Sequence, residues 1–507
     1  MKVLAITSRT ITLELENDLP YYAQKKFDVF LNSKFLYKEE RNVFTIFDLE
    51  PNTLYVIDVL DEKLKIKTNP ESMLLNVKDF NALGDGVSDD TVKIQAAIAC
   101  AKPDACIYFP EGIYLVSALF LKSDLTIYLS KNAKLIAKYN RNDIPVLPGG
   151  YNDYDYGSWE GSITSTFSSI ITAIDCKNLI IAGLGEIDSQ AYLGDWYNNH
   201  HDKRIAWRGF GMYFKDCENV TVIGTYIHDT PAWNIHPFFS KHLKFLNMRI
   251  ENPTDKSTTD GIDPDCCDDV LIAGCYFKVG DDCIALKSGT FELAKKFNRP
   301  TTNITIRNNL MTEGHGGVVF GSESSSGISN VIIEKCLFQN TDRGFRIKTR
   351  RGRGRVGTID NVSFSNIYME NVLTPFVINM FYNMGPAGGH EEYVWTEEKL
   401  PITEKTPYVG AFSFENITCL GCSYAAGVFL GLPEEPIKGI GFKNVKFSFN
   451  GDAEAGYPVM IEKKFKALKR GLVCYNVDKV ELEEVSFEGI IGDELLRLKS
   501  IKDGDLE

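Results

Sequence analysis

Residues 279 to 289 read VGDDCIALKSG, and the adjacent acids Asp281 and Asp282 pose a geometric problem. Successive side chains of a regular strand point to opposite faces, so neighbours share a site only where the backbone bends. Other reactive side chains stand in Thr259-Asp260-Gly261-Ile262-Asp263, Gly314-His315-Gly316 and Arg346-Ile347-Lys348. Carboxylates beside a histidine and two cations suit hydrolysis of a glycosidic bond. One acid must be protonated to donate to the leaving oxygen, and another must be ionised to activate water. Crowding Asp260, Asp281 and Asp282 makes that division without a metal or cofactor, since like charges raise at least one pKa. Taken singly, each Asp reads equally well as a turn or cap residue. Asp281 and Asp282 are both expected to face the groove, with the chain leaving strand geometry there.

A repeat supplies the groove. A small polar or turn residue followed by an aliphatic run recurs as NLIIAGLGEI from 178, NVTVIGTYI from 219, HLKFLNMRI from 242 and DVLIAGCYF from 269. It continues as NITIRNNLM from 303, NVIIEKCLF from 330, NVSFSNIYM from 361 and NITCLGCSY from 416. Intervals of 23 to 34 residues between 219 and 361, filled with short β runs, indicate a solenoid. The fold expected is all-β, a right-handed parallel β-helix. Asn219, Asn303, Asn361 and Asn416 begin Asn-x-Ser/Thr triplets, and their recurrence at one point of each coil reads as turn chemistry. Alignment of the coils sets Asp281, 12 residues after Asp269, opposite His315, 12 after Asn303. Asp260 and Arg346 fall on neighbouring rungs, close to the same column.

Two parts are expected. Residues 1–72 alternate in pieces such as TITLELE, LYVIDVL and KLKIKT, the pattern of a small antiparallel β-sandwich. Residues 73–507 form the β-helix domain. Near its start, Asp89 or Asp90 caps a helix with apolar positions Ile94, Ala97, Ile98 and Ala101, placed to cover the open end.

The composition is that of a soluble globular chain, 44% hydrophobic and 24% charged. No apolar run reaches the roughly 20 residues of a membrane span, and the first residues alternate where a signal peptide would be continuously apolar. A cytoplasmic protein is expected on that basis. A net charge of −13 argues against nucleic acid and acidic membranes as partners. The exception is RGFRIKTRRGRGR, Arg343 to Arg355, with seven basic residues. It reads as a solvated face or loop, or as a local site for anionic groups. The 12 cysteines are scattered, and neither Cys266-Cys267 nor the lone Cys419-Leu-Gly-Cys422 makes a zinc pattern. Oligomeric state is not legible.

The four motifs resemble, in order and spacing, those of the polygalacturonases, the pectin-degrading glycoside hydrolases of family 28. DFNALGDGVSDDTVKIQAAI, YFPEGIYLVSALFLKSDLTIYL and DTPAWNIHP are similar to that family too, and the resemblance spans about residues 75 to 490. DLEPNTLYVIDV resembles the end of a fibronectin type III module. The family resemblance implies an inverting hydrolase acting on galacturonate-containing pectic oligosaccharides. It implies Asp281 as general acid, Asp260 with Asp282 holding the attacking water, and His315 tuning the acid. Arg346 and Lys348 would grip a galacturonate carboxylate. Tyr382 in NMFYNMG is the candidate for the family's tyrosine beyond these cations, with a packed strand-end aromatic as the alternative. His236 in WNIHP is a further candidate for substrate binding, or else a structural histidine. Thr258 stands where the family has Asn, which bears on the neighbouring sugar and not on the chemistry.

Two inserts, NRNDIPVLPGGYNDYDYGSWEGS and AYLGDWYNNHHDKRIAWRGFG, are rich in aromatics, and GPAGGHEEYVWTEEKLPITEK follows Tyr382. Such inserts either stack on sugars or pack on themselves. If they close one end of the groove, attack is restricted to chain ends. The rival readings are a rhamnogalacturonan or xylogalacturonan hydrolase of the same family, a Ca²⁺-dependent pectate lyase using Asp260, Asp263, Asp281 and Asp282, and a catalytically silent β-helix that binds acidic sugars.

Overall fold

The computed structural model describes residues 1–384, 391–462 and 464–491 and the backbone of the strand Leu496–Lys499. Part of the third insert, 385–390, lies outside the described residues, as does the end of the expected second domain.

Each coil of the solenoid is built from short strands that pair in parallel with the coils before and after it. Asp268–Ala273, Tyr276–Lys278 and Asp282–Leu286 make one such coil. Each finds its partner on the next coil, in Thr301–Arg307, Leu310–Glu313 and Gly316–Gly321. Parallel pairing runs unbroken in this way from Met73–Asn76 to Val480–Glu488. The interior is one continuous apolar column, with Val270, Ile272, Phe277, Ile284, Ile304, Ile306 and Val318 stacked on their equivalents. Alternate residues of each run point inward, which is why the repeat shows in the sequence as aliphatic pairs separated by polar residues.

The polar residue that opens each copy has a backbone reason. Asn178, Asn219, His242, Asp269, Asn303, Asn330, Asn361 and Asn416 all have φ between 53° and 64°. This left-handed conformation costs ordinary residues energy and suits Asn and Asp. The side chains then link coil to coil. Asn219 Nδ2 donates to Asn178 Oδ1 at 2.8 Å, and Asn361 Nδ2 to Asn330 Oδ1 at 2.5 Å. Turn chemistry accounts for these asparagines, as expected.

The helix is Thr91–Cys100, with Ile94, Ala97 and Ile98 buried against the first coils. Asp89 Oδ1 accepts from the Thr91 N–H at 3.0 Å, while Asp90 turns back to accept from the N–H groups of Leu83 and Gly84.

The N-terminal residues form a three-stranded and a four-stranded antiparallel sheet around Ile11, Leu13, Phe27, Val29, Phe44 and Ile57. Leu4 and Val43 pack this unit on a corner of the solenoid at Ala182, Ile223, Leu246 and Ala273. Glu14 reinforces the seam by accepting from Asn308 at 2.8 Å and pairing with Arg307 at 2.8 Å.

Asn303 is exposed, with φ 58° and a bond to Asp268 Oδ1 at 2.7 Å. Asn303→Ala is expected to lose about 1–2 kcal/mol from the left-handed backbone, and Asn303→Gly less. Denaturant unfolding of the three proteins checks the order.

Candidate active site

The motif residues lie on one ladder of the solenoid. His315 donates its backbone N–H to Asp281 O at 2.9 Å, and Asp282 pairs with Gly316. On the preceding coil Gly261 N–H donates to Asp282 O at 2.9 Å, and Ile262 bridges to Ile284, so Asp260 lies beside Asp282. Arg346 is further along than the sequence alignment places it. It pairs with Val319, on the row of Ala285 and not of the acids, and its long side chain reaches back.

Gly-His-Gly is dictated by close approach. A Cβ on Gly314 would sit 2.8 Å from Cys283 Sγ, and one on Gly316 would sit 2.7 Å from Asp282 Oδ1.

Asp281 lies in a bend and Asp282 opens the strand that follows. The bend frees the two from strict alternation, and oxygens of Asp260, Asp281 and Asp282 come within 4.8 Å of one another. The neighbours differ in depth. Asp281 is half-buried at the mouth, whereas Asp260 is 3% and Asp282 0% exposed. The expectation that both acids face the groove is corrected for Asp282, which is drawn to the floor by its partners. Lys348 Nζ donates to Asp282 Oδ2 at 2.6 Å and Arg346 Nη1 to Oδ1 at 3.4 Å.

Burial opposes ionisation of all buried acids, and the local charges decide which one yields. Asp260 is pushed well above the ordinary carboxylate range by burial, then by the charges of Asp263 and Asp281. Burial acts on Asp282 in the same direction, but Lys348, Arg346 and His315 outweigh it and hold its carboxyl at about 2. The floor therefore pairs an ionised acid with one pressed towards its neutral form. Both Asp282 oxygens accept from cations, so a divalent ion bound by these three acids would have to displace Lys348 or Arg346.

His315 Nδ1 lies 2.8 Å from Asp342 Oδ2, which fixes the ring, and Nε2 lies 3.4 Å from Met460 Sδ. Tyr382 is buried at the end of its strand, with Lys348 Nζ 5.7 Å from the ring centroid. Thr258 has φ 61°, donates its backbone N–H to Asp281 Oδ2 at 2.7 Å, and accepts from Arg208 at 2.6 Å.

His236 does not join the site. It is fully buried, 4.6 Å from Phe210 and 4.8 Å from Trp233 between ring centroids, and the nearest acid is Asp265 at 3.7 Å. The aromatic cage leaves it no face for a substrate, and the substrate-binding assignment of His236 is withdrawn.

The first two inserts pack on each other and on the coil. Trp159 stacks on Trp207 at 5.3 Å and on Trp233 at 5.9 Å, and Arg208 lies over Trp159. The tip of the first insert docks past the end of the strand Asp282–Leu286, where Gly161 O accepts from Thr290 N–H at 3.0 Å. Glu160 beside it is pushed up to about 7 by burial, then by Glu323.

The basic run is not a solvated face. Arg343, Arg346, Lys348, Arg350, Arg351 and Arg353 are all buried. Arg351 is held by both oxygens of Glu434 at 2.6 and 2.9 Å, and Arg353 pairs with Glu323 at 3.5 Å.

Three neighbours escaped the sequence reading. Lys287 lies 3.6 Å from Asp263 and 3.4 Å from Glu323, at the end of the opening stretch itself, where strand register signals it. Asp342 and Met460 come from turns and loops that carry no repeat signal.

Lys348→Met leaves Asp282 buried without its main partner and is expected to cost about 3–5 kcal/mol near neutral pH. Because Asp282 is depressed in the folded state, the stability it lends is present above about pH 4 and lost as pH falls towards about 2. The gap between wild type and variant in denaturant unfolding should narrow through that window.

The sequence profile described as Glycosyl hydrolases family 28 matches residues 126–396, more than half of the chain. A probable polygalacturonase of Vitis vinifera is 28% identical over 378 residues, 72% of each chain. The fold is shared with a family 28 exopolygalacturonase of Yersinia enterocolitica, with a TM-score of 0.71 at 21% identity over 98% of this chain and 96% of that one. A hyperthermoactive exopolygalacturonase of Thermotoga maritima has a TM-score of 0.64 at 25% identity over 78% and 95%. With that match, and with its acids, histidine and cations gathered on one ladder of a parallel β-helix, this chain belongs to glycosyl hydrolases family 28.

Proposed function

We propose that the protein hydrolyses α-glycosidic bonds of galacturonate residues in pectin-derived oligosaccharides, working from chain ends. The observation that carries this reading is the convergence of Asp260, Asp281 and Asp282 within 4.8 Å beside Arg346, Lys348 and His315. Asp281, the acid at the mouth, donates a proton to the leaving oxygen. Asp282 is the ionised group and, with Asp260, holds and activates the water. His315 sits beside the acid and adjusts its proton. Arg346 and Lys348 supply a guanidinium and an ammonium for a uronate carboxylate, with Tyr382 beside them.

Attack from an end is supported by the first insert, whose tip at Gly161 is tied to Thr290 just past the active-site strand Asp282–Leu286. The solved relatives named exopolygalacturonases agree with it. Homogalacturonan is the first substrate to test, since every role above needs only a galacturonate next to the scissile bond.

Inversion at the anomeric carbon follows from the family resemblance.

A timed digest of saturated oligogalacturonides with EDTA present tests the whole reading. One small saturated product should be released steadily, and Asp281→Asn should lower kcat by about 10²–10⁴. Proton NMR of the first product separates inversion, which yields the β anomer, from retention. Random internal cleavage defeats the end-acting reading, and an ultraviolet-absorbing product that requires Ca²⁺ defeats hydrolysis.

A further inference from the structure

Residues 457–462 lie in the connection between the strands Gly439–Phe449 and Arg470–Tyr475, far along the chain from every motif residue. Their main chain is fastened to the active-site ladder. Arg343 donates to Tyr457 O at 2.7 Å and to Pro458 O at 3.2 Å, and Asn379 Nδ2 donates to Met460 O at 2.9 Å. Asn383 Nδ2 donates to Glu462 Oε2 at 2.9 Å, and Val459 is buried in the solenoid core. Between these anchors lies the half-buried Met460 side chain. Its sulfur lies 2.9 Å from Arg346 Nη2 and 3.4 Å from His315 Nε2.

A thioether is a weak acceptor, yet a guanidinium and an imidazole converge on it. This is the geometry of an anionic oxygen site with sulfur in its place. We propose that Met460 is a specificity-determining residue whose sulfur keeps the place of a carboxylate oxygen between Arg346 and His315, and that an acidic sugar displaces it. The inference rests on the reading of Arg346 as a carboxylate-binding group. A carboxylate bonds a guanidinium far more strongly than a thioether does, so a uronate displaces the sulfur and a neutral sugar leaves it seated. Met has three rotatable side-chain bonds, which lets the side chain swing aside while its anchored backbone stays still. Nη2 of Arg346 then keeps an acceptor whether or not a sugar is bound, and the site is biased against sugars that carry no charge.

The test uses the whole protein labelled with ¹³C at its methionine methyls. The Met460 signal is assigned by its loss in Met460→Leu. Digalacturonic acid should shift this signal, and neutral galactobiose at the same concentration should not. In steady-state kinetics Met460→Leu, which keeps the volume but offers no acceptor, should lower KM for oligogalacturonides about fivefold, the equivalent of one ordinary hydrogen bond. Met460→Ala should lower it at least as far. A methyl signal that ignores digalacturonic acid, an equal response to both sugars, or a KM that rises or stays constant in both variants overturns the proposal. Failure of the wild type to cleave oligogalacturonides, together with a shifted methyl signal, would sink the proposed function and leave this one standing.

Discussion

The ionised carboxylate of Asp282, cut off from solvent, depends on the rest of the active-site face. A buried charge is tolerated only when it is paired and hydrogen-bonded, and its partners Lys348 and Arg346 arrive from a strand two coils away. Three coils must therefore hold register for that charge to exist. A slip of one residue would turn Arg346 and Lys348 to the apolar interior and bring Ile347 to the acids. Asp260 is pressed towards neutrality by burial and then by the charges of Asp263 and Asp281, while Asp281 stays at the mouth.

The solenoid holds register through its corners as well as its core. At each copy one residue takes a left-handed conformation, and where that residue is Asn its side chain bonds along the ladder. The inward column of aliphatic residues then leaves one face free for polar side chains. Glycines at 314 and 316 let neighbouring coils approach closely enough for Asp281, Asp282 and His315 to meet.

Charge that looks solvated in the sequence is buried here. The run from Arg343 to Arg355 follows the ladder strand Arg343–Lys348 and the turn after it, where acids wait from elsewhere. Glu434 and Glu323 meet Arg351 and Arg353 across tens of residues. The aromatic inserts behave likewise. Trp159 stacks on both Trp207 and Trp233, contacts within the protein that compete with sugar stacking.

The β-helix, the period of its coils, the turn role of the recurrent asparagines and the alignment of Asp281 with His315 were all legible in the sequence, because each is a local property repeated at a regular interval. The depth of Asp282 was not, since a strand pattern reports which face a side chain takes and not which cations lie under it. For the same reason His236 could be read as substrate-binding or as structural, and Phe210 and Trp233, which enclose it, decide for the second. Met460 and Asp342 reach His315 from a loop and a turn outside the repeat, where no periodicity points. What periodicity could determine was the ladder; which charges are paired, which acid yields its proton and what caps Arg346 were decided by contacts between segments distant in sequence, and only the tertiary structure brings those together.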